Sequence, residues 1–195
     1  LRIPLCVDTY KAEVADAALR AGAKMLNDIT ALKAEPAIGE IAAQHGAPVV
    51  LMHIKGEPRT MQNNPSYDNL MSEIIKELRN SISKALACGI PRNKIIIDPG
   101  IGFGKKYEHN LTLINRSHQL KSLGYPLLFG VSRKSFIGAV TGKTSPAERL
   151  FGTLGACAAA VIGGASILRV HDPQEVRETA MVTKAIITEH LNVAS

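Results

Sequence analysis

The chain has 195 residues, of which 46% are hydrophobic and 21% charged, as in a single globular domain with a substantial core. No apolar run approaches the roughly 20 residues that a membrane-spanning helix needs, so a membrane partner is not expected. The net charge of +6 is compatible with nucleic acid, but only 4% of the residues are aromatic, which argues against a base-stacking surface. A small anionic substrate explains the charge better.

Six apolar runs, each ending in polar or charged residues, are predicted as β-strands. In chain order they span 5–9, 24–29, 49–55, 95–100, 127–134 and 166–172. Segments with helical patterns separate them. The predicted helices span 11–21, 36–45, 69–88, 111–123, 145–162 and 172–191. The regular β-α alternation predicts a parallel sheet covered by helices.

Local signals mark two helix starts and one long loop. Ser145 and Asp172 each precede a proline and stand three residues before a glutamate, which is the spacing of a capping box. Both are therefore predicted to cap helices, and Asp172 is assigned this role in preference to that of a catalytic acid. The longest irregular segment, 56–68, follows a strand and is expected at the ligand end of the sheet.

The number of βα units leaves two architectures open for a single domain over residues 1–195. A complete eight-stranded α/β barrel typically needs about 250 residues. Six units therefore form either an open sheet or a barrel with two units fewer. In both cases, ligands bind at the carboxyl ends of the strands, where this chain repeatedly places polar side chains.

Strand parity selects the side chains expected in the pocket, because alternate residues face opposite sides. The last inward-facing polar residues are Asp8, Asn27, Asp98, Lys134, Arg169 and His171. On the third strand, parity does not decide between Met52 and His53. Asp8 and Asn27 have an alternative role, since such residues also cap helices.

Asp98 is the most distinctive candidate. It follows three isoleucines that predict burial, and a buried carboxylate needs hydrogen-bond donors. An aminopyrimidinone edge offers two adjacent N–H donors that match its two oxygens. The alternative is an ordinary glycine-rich βα turn.

Basic residues stand at the ends of the last two predicted strands. Arg133 and Lys134 lie between two serines, and Arg169 and His171 precede a predicted helix N-terminus. Arginine can hold phosphate with two donors, and histidine can add a third. The three cysteines are far apart and form no CxxC pair, which is typical of reduced cytoplasmic thiols rather than a zinc site.

Six segments together resemble the dihydropteroate synthase family, in the family's order and over essentially the whole chain. They are VDT (7–9), NDI (27–29), MHIKGEPRTMQ (52–62), DPGIGFGK (98–105), GVSRKSFIG (130–138) and RVHD (169–172). The resemblance implies a (β/α)₈ TIM barrel, represented here by six units. It also implies a cytoplasmic homodimer that uses Mg²⁺ to join a pterin-methyl pyrophosphate to p-aminobenzoate in folate biosynthesis. In this family, sulfonamides compete for the p-aminobenzoate site.

The resemblance assigns roles to individual residues. Asp8, Asn27 and Asp98 would hold the polar edge of the pterin, and Lys134 its carbonyl and N5 side. Met52 and Phe103 would line the pocket, and Arg169 and His171 would bind pyrophosphate. Arg133 and Ser135 would flank the p-aminobenzoate channel. The residues expected to contribute most to catalysis are Asp98, Lys134 and Arg169.

The sequence departs from the family pattern at its start, because VDT resembles the family's third strand. We therefore expect the first two βα units, the expected metal ligand and part of the p-aminobenzoate site to lie outside these residues. On this basis we expect inefficient catalysis by the segment alone. The alternatives are a pterin- or folate-binding module similar to methyltetrahydrofolate-binding barrels, and an inactive truncated fragment. The binding module has no need for SRKSFIG or RVHD.

Overall fold

The computed structural model describes residues 3–191, in which six short parallel strands alternate with helices. The strands are β1 Cys6–Asp8, β2 Met25–Asp28, β3 Val49–Met52, β4 Ile95–Asp98, β5 Leu128–Phe129 and β6 Ile167–Leu168. The α-helices are α1 Ala12–Arg20, α2 Ala37–Gln44, α3 Leu70–Ala87, α4 Tyr107–Asn115, α5 Ser135–Thr141, α6 Leu150–Ile162 and α7 Pro173–Thr188. Short 3₁₀ helices cover Arg92–Lys94, Ser117–Leu123 and Pro146–Arg149.

The strands follow one another in space as they do in the sequence. Strands β1 to β4 form one parallel sheet in that order, and β5 pairs with β6. A parallel bridge between Ile97 and Leu127 joins β4 to the β5 side. A doubly wound sheet reverses its strand order, whereas a barrel does not. The sequential order therefore decides between the two predicted architectures in favour of an incomplete barrel.

Helix α3 shows how the sequence specifies these elements. Asn69 caps it by accepting from the Ser72 N–H (3.1 Å), and Glu73 accepts from the Asn69 N–H (2.9 Å). Its buried face includes Ile74 and Leu78, which are four residues apart and contribute to the core between helices and sheet. The helical spacing of the apolar residues is visible in the sequence, whereas the structure supplies the capping contacts.

The last two strands are much shorter than predicted. The apolar run 127–134 contributes only Leu128–Phe129 to the sheet, and the run 166–172 only Ile167–Leu168. After Phe129 the chain leaves the ladder, and Arg133 adopts a positive φ of 57°. Lys134 consequently lies at the start of α5 rather than on a strand.

Two helical assignments also differ from the prediction. The predicted helix 111–123 begins earlier, at Tyr107, and changes to a 3₁₀ helix after Arg116. Ser117 favours this change because its hydroxyl donates to the Ile114 carbonyl (2.8 Å). Helix α5 was not predicted, since its seven residues are too few to show a helical period.

Neither predicted side-chain cap is present. Ser145 precedes a 3₁₀ turn and makes no side-chain capping bond. Asp172 stands at the N-cap position of α7, but its carboxylate binds the guanidinium of Arg133 instead. A charged partner from a distant loop thus displaces the local N–H groups. Within residues 3–191, no helix is long and apolar enough to cross a membrane.

Candidate functional site at the carboxyl ends of the strands

A cavity of about 440 Å³ opens at the carboxyl ends of the strands. Nine of the ten predicted site residues line it. They are Asp8, Asn27, Met52, Asp98, Phe103, Arg133, Lys134, Arg169 and His171. The tenth, Ser135, is exposed on the first turn of α5 and is not part of this lining. The structure thus assembles distant parts of the chain into one pocket.

The β1 and β2 side of the cavity presents an acid and an amide that contact each other. The Asn27 amide donates from Nδ2 to Asp8 Oδ1 (2.9 Å). Asn27 Oδ1 is buried and has no hydrogen-bond partner among the described residues. Buried acceptors are normally satisfied, so this oxygen is suited to accept from a ligand.

Asp98 lines the cavity and is only 5% exposed. Its Oδ1 accepts from the Gly100 N–H (2.7 Å). Burial raises the pKa of this carboxyl to about 6, against the opposing effects of the Gly100 hydrogen bond and the nearby cations, of which Lys105 is the strongest. The site therefore holds a carboxylate whose ionised form gains from further donors.

Lys134 lines the cavity together with Asp98. Its Nζ lies 4.3 Å from the centre of the Phe103 ring, in a cation–π contact. Burial lowers the pKa of Lys134, while the Asp98 carboxylate opposes this effect. Lys134 and Asp98 thus give the cavity a donor and an acceptor, and Lys134 lies over an aromatic ring.

Arg169 and His171 form the corner of the cavity that follows β6. Arg169 Nη2 binds Asp8 Oδ2 at 2.6 Å, which joins β1 to β6 although these strands do not pair. The ring Nδ1 of His171 lies 2.9 Å from the Ser132 hydroxyl, which fixes the ring. Arg169 is more than half exposed, so its ion pair is weak and can be exchanged for a ligand anion.

Arg133 lines the same cavity but is already neutralised. Its guanidinium makes two contacts with the Asp172 carboxylate, including a 3.1 Å bond from Nε to Oδ2. The backbone N–H of Arg133 donates to Thr153 Oγ1 (3.0 Å), and this bond holds the strained loop against α6. This pairing indicates that Arg133 shapes the rim rather than contributing a free cation.

The structure resolves the ambiguity on the third strand. Met52 lines the cavity, whereas His53 is buried on the other side of the sheet and is 2% exposed. Desolvation lowers the pKa of His53 to about 4 although Glu77 favours its charged form. His53 is therefore a neutral core residue and not a pocket residue.

The cavity contains five further residues that were not assigned to the site from the sequence. They are Ile29, Ile101, Gly130, Ser132 and Pro146. Ser132 could have been assigned from the sequence, because in the predicted strand 127–134 it faces the same side as Lys134. The others are apolar or lack a side-chain functional group, and only tertiary proximity identifies them.

The described residues do not provide a metal site of their own. No group of three His, Cys, Asp or Glu side chains in the part of the chain from 3 to 191 could hold an ion. The acids at the cavity are engaged by Asn27, Arg169 and Gly100, and the remaining polar groups are mainly cations. The arrangement favours an anion with an adjacent donor-rich ring.

Sequence relatives agree with this geometry. The model of the pterin binding enzyme family matches residues 1–171. Dihydropteroate synthase from Synechocystis is 47% identical over 186 residues, which cover 95% of this chain and 64% of the relative. The Escherichia coli dihydropteroate synthase is 40% identical over 188 residues, covering 96% and 66% respectively. The chain thus spans slightly less than two thirds of the length of these curated relatives.

Solved structures show the same fold at similar identity. Dihydropteroate synthase from Stenotrophomonas maltophilia, with imidazole bound in its active site, superposes with a TM-score of 0.92 at 39% identity. The match covers 100% of this chain and 72% of that one. The Thermus thermophilus enzyme, in complex with 6HMPPP, gives a TM-score of 0.90 at 40% identity, covering 95% and 73%.

These matches agree with the sequential strand order and with the cavity at the strand ends. The fold is that of a TIM barrel, of which this chain forms six βα units. The family model covers far more than half of the chain. The protein therefore belongs to the pterin binding enzyme family.

Proposed function

We propose that the protein acts in folate biosynthesis as a dihydropteroate synthase, joining 6-hydroxymethyl-7,8-dihydropterin pyrophosphate to p-aminobenzoate. The observation that carries this proposal is the convergence of Asp98, Asn27 and Lys134 with Arg169 and His171 in one cavity. Supporting it, the Thermus thermophilus relative has been solved both with 6HMPPP and with 4-aminobenzoate. The Yersinia pestis relative has been solved with a sulfonamide drug, and we extend sulfonamide competition to this protein.

The proposed pterin contacts follow from donor and acceptor complementarity. The Asp98 carboxylate would accept two N–H bonds from the aminopyrimidinone edge, and the unpartnered Asn27 Oδ1 would accept another. Lys134 would donate to the ring carbonyl and N5 side. Met52 and Phe103 would pack against the ring, since both line the cavity.

The proposed reaction is a substitution at the pterin methylene carbon. The C–O bond to pyrophosphate breaks, the arylamine nitrogen forms a C–N bond, and the nitrogen loses its proton. Arg169 and His171 would stabilise the negative charge that grows on the leaving group, while the pocket fixes the electrophile. The arylamine is itself the nucleophile, so no covalent bond to the protein is needed.

We include Mg²⁺ in the proposal as an ion that would accompany the pyrophosphate substrate and help to neutralise its charge. Mg²⁺ commonly keeps several waters and binds through substrate phosphates with one or two carboxylates. We assign no Mg²⁺ ligand to this chain, because the acids that line the cavity, Asp8 and Asp98, already accept hydrogen bonds from Asn27, Arg169 and Gly100. We also propose a cytoplasmic location, in keeping with three cysteines that are all free.

Calorimetry with the pterin pyrophosphate tests the proposed binding site. The protein is expected to bind it, and Lys134→Ala is expected to weaken binding by at least about 30-fold, because a charge-assisted contact is lost. Lys106→Ala is the control, since Lys106 is exposed outside the cavity lining. Equal affinity in wild type and Lys134→Ala would refute the assignment. Pyrophosphate release on addition of p-aminobenzoate then distinguishes a synthase from a binding module.

We further propose that the protein is a homodimer through α6 and α7. These helices pack against each other and expose large apolar side chains, notably Phe151 (83% exposed) and Ile186 (72%). Such a surface is normally covered by a partner. Sedimentation equilibrium should give twice the monomer mass, and Phe151→Glu should give the monomer. Leu86→Glu, at an exposed apolar position on α3, should leave the dimer intact; monomeric wild type would contradict the proposal.

A further inference from the structure

A buried lysine contacts the segment that lines the cavity, and the reaction described above does not use it. Lys105 is only 3% exposed, although it belongs to the glycine-rich loop between β4 and α4. Its Nζ donates to the Phe103 carbonyl (2.9 Å) and to His53 Nδ1 (3.1 Å). Lysines are rarely buried without a purpose, because removing an ammonium from water is costly.

The two hydrogen bonds of Lys105 join the loop to the neighbouring strand end. An ammonium can only donate, so Nδ1 of His53 is the acceptor and the ring proton lies on Nε2. The His53 N–H in turn donates to the Asp98 carbonyl (2.8 Å), which continues the β3–β4 ladder. Lys105 therefore fixes Phe103, whose ring lines the cavity, relative to the strand that carries Asp98.

Both hydrogen-bond acceptors of Lys105 are neutral, so its charge must be balanced at slightly longer range. Asp98 is the acid that most strongly favours its charged form, followed by Glu77 on α3. The cations Lys134 and Lys33 oppose it. Conversely, Lys105 acts on Asp98 more strongly than either Lys134 or Arg169. The ammonium and the carboxylate thus stabilise each other's ionised forms across the loop.

We propose that Lys105 is a positioning residue of the pterin site: it anchors the Phe103 segment and supplies the buried positive charge that keeps Asp98 ionised for the ligand. This role rests on the proposed function, in which the Asp98 carboxylate accepts N–H bonds from the pterin. Lys105 does not itself line the cavity, so it acts through Asp98 and Phe103.

The pKa values of Lys105 and Asp98 set the pH range in which Lys105 affects the ionisation of Asp98. Burial lowers the pKa of Lys105 to about 7, and the pKa of Asp98 is about 6. Lys105 is therefore charged below pH 7 and mostly neutral above pH 8. Its influence on Asp98 should be largest near pH 6 to 7 and should fade at alkaline pH, where the carboxylate is ionised in any case.

Carbon NMR of the Asp98 carboxyl tests the electrostatic part of this role without any ligand. In Lys105→Gln, which keeps a hydrogen-bond donor but no charge, the pKa of Asp98 should rise from about 6 to about 7 or above. Lys105→Met should show the same rise. Lys106→Gln, at the exposed neighbouring position, should leave the Asp98 titration unchanged. Titration of Asp98 at the wild-type pH in a folded Lys105→Gln protein would overturn the proposal.

Pterin binding then separates charge from anchoring. At pH 7, Lys105→Gln should bind the pterin pyrophosphate about 2- to 10-fold more weakly than wild type, and the two should converge at pH 8.5. Lys105→Met should retain a defect at pH 8.5, because it no longer holds the Phe103 carbonyl. A Lys105→Gln defect of equal size at every pH would contradict the charge role. If wild type binds no pterin while the Asp98 shift is observed, the proposed function fails and the electrostatic coupling stands.

If neither Lys105→Gln nor Lys105→Met folds, the wild-type protein itself provides a test. The Asp98 carboxyl signal should respond a second time when Lys105 titrates near pH 7, because the two charges are coupled. A single Asp98 step, with no change as Lys105 loses its proton, would refute the proposal.

Discussion

Replacing Asp98 with asparagine is expected to weaken pterin binding at least about 100-fold while making the folded protein more stable. The amide is close in size to the carboxylate and can still accept from the Gly100 N–H. However, it presents an NH₂ group to the N–H donors of the pterin edge, so one favourable contact becomes a contact between two donors. The loss of a charge-assisted pair accounts for the size of the effect.

The gain in stability has a defined pH range. Because the folded-state pKa of Asp98 is raised from 3.8 to about 6, the folded protein binds this proton more tightly than the unfolded chain. The carboxylate therefore costs stability increasingly from about pH 4 to pH 6, and fully above that. Asparagine removes this cost, which is on the order of 2–3 kcal/mol at pH 7.

Calorimetry and urea unfolding measure the two effects separately. Asp16→Asn is the matched control, since Asp16 lies on α1, away from the cavity, and its carboxylate pairs with His45 and Arg20 at the surface. That variant should bind pterin like the wild type. An Asp98→Asn protein that binds pterin within about threefold of wild type would contradict the assignment. So would a stability difference between Asp98→Asn and wild type that is no larger at pH 7 than at pH 4.

Gly100→Ala is expected to destabilise the protein by at least about 4 kcal/mol or to prevent its folding. Gly100 adopts a φ of +70°, and a Cβ atom would lie 1.9 Å from the His53 carbonyl oxygen. That oxygen belongs to the backbone, and the adjacent His53 N–H is bonded to Asp98. Neither chain can move away without breaking the β3–β4 edge that forms the cavity.

Gly46→Ala separates the backbone strain from the steric clash. Gly46 also has a positive φ, of +59°, but its Cβ would have no neighbour within 4 Å. That substitution should cost about 1 kcal/mol, as expected for an L-residue in the left-handed region. The comparison is made by urea unfolding and by the soluble yield of each variant. Equal stability of the two variants would show that the close approach at Gly100 is not rigid.

The sequence predicted the cavity well because its signals are local and periodic. Asp98 follows three isoleucines, so its position at the end of a buried strand could be inferred directly. Asp8 and Asn27 could be placed in the same way, because side chains alternate along a strand. In the structure these two residues are partners in the pairing of β1 with β2 and lie side by side.

The choice of partners was not predictable from local patterns. Asp172 has the spacing of a helix cap, yet it binds Arg133, which is 39 residues away. Met52 and His53 are adjacent and equally compatible with parity, and only packing against Lys105 and Glu77 places His53 behind the sheet. Lys105 itself appears in the sequence as an ordinary loop lysine, although it is almost fully buried.

The sequence by itself determined the element types, the parallel alternation and most of the polar residues at the strand ends, because hydrophobic periodicity and chain order record them. The tertiary structure decided where the strands end, which architecture six units adopt, and which charges are paired. Those properties depend on hydrogen bonds and ion pairs between residues far apart in the chain, such as Ile97 with the β5 side and Arg169 with Asp8. A carboxylate at a strand end was therefore visible in the sequence, whereas the buried lysine that acts on it was not.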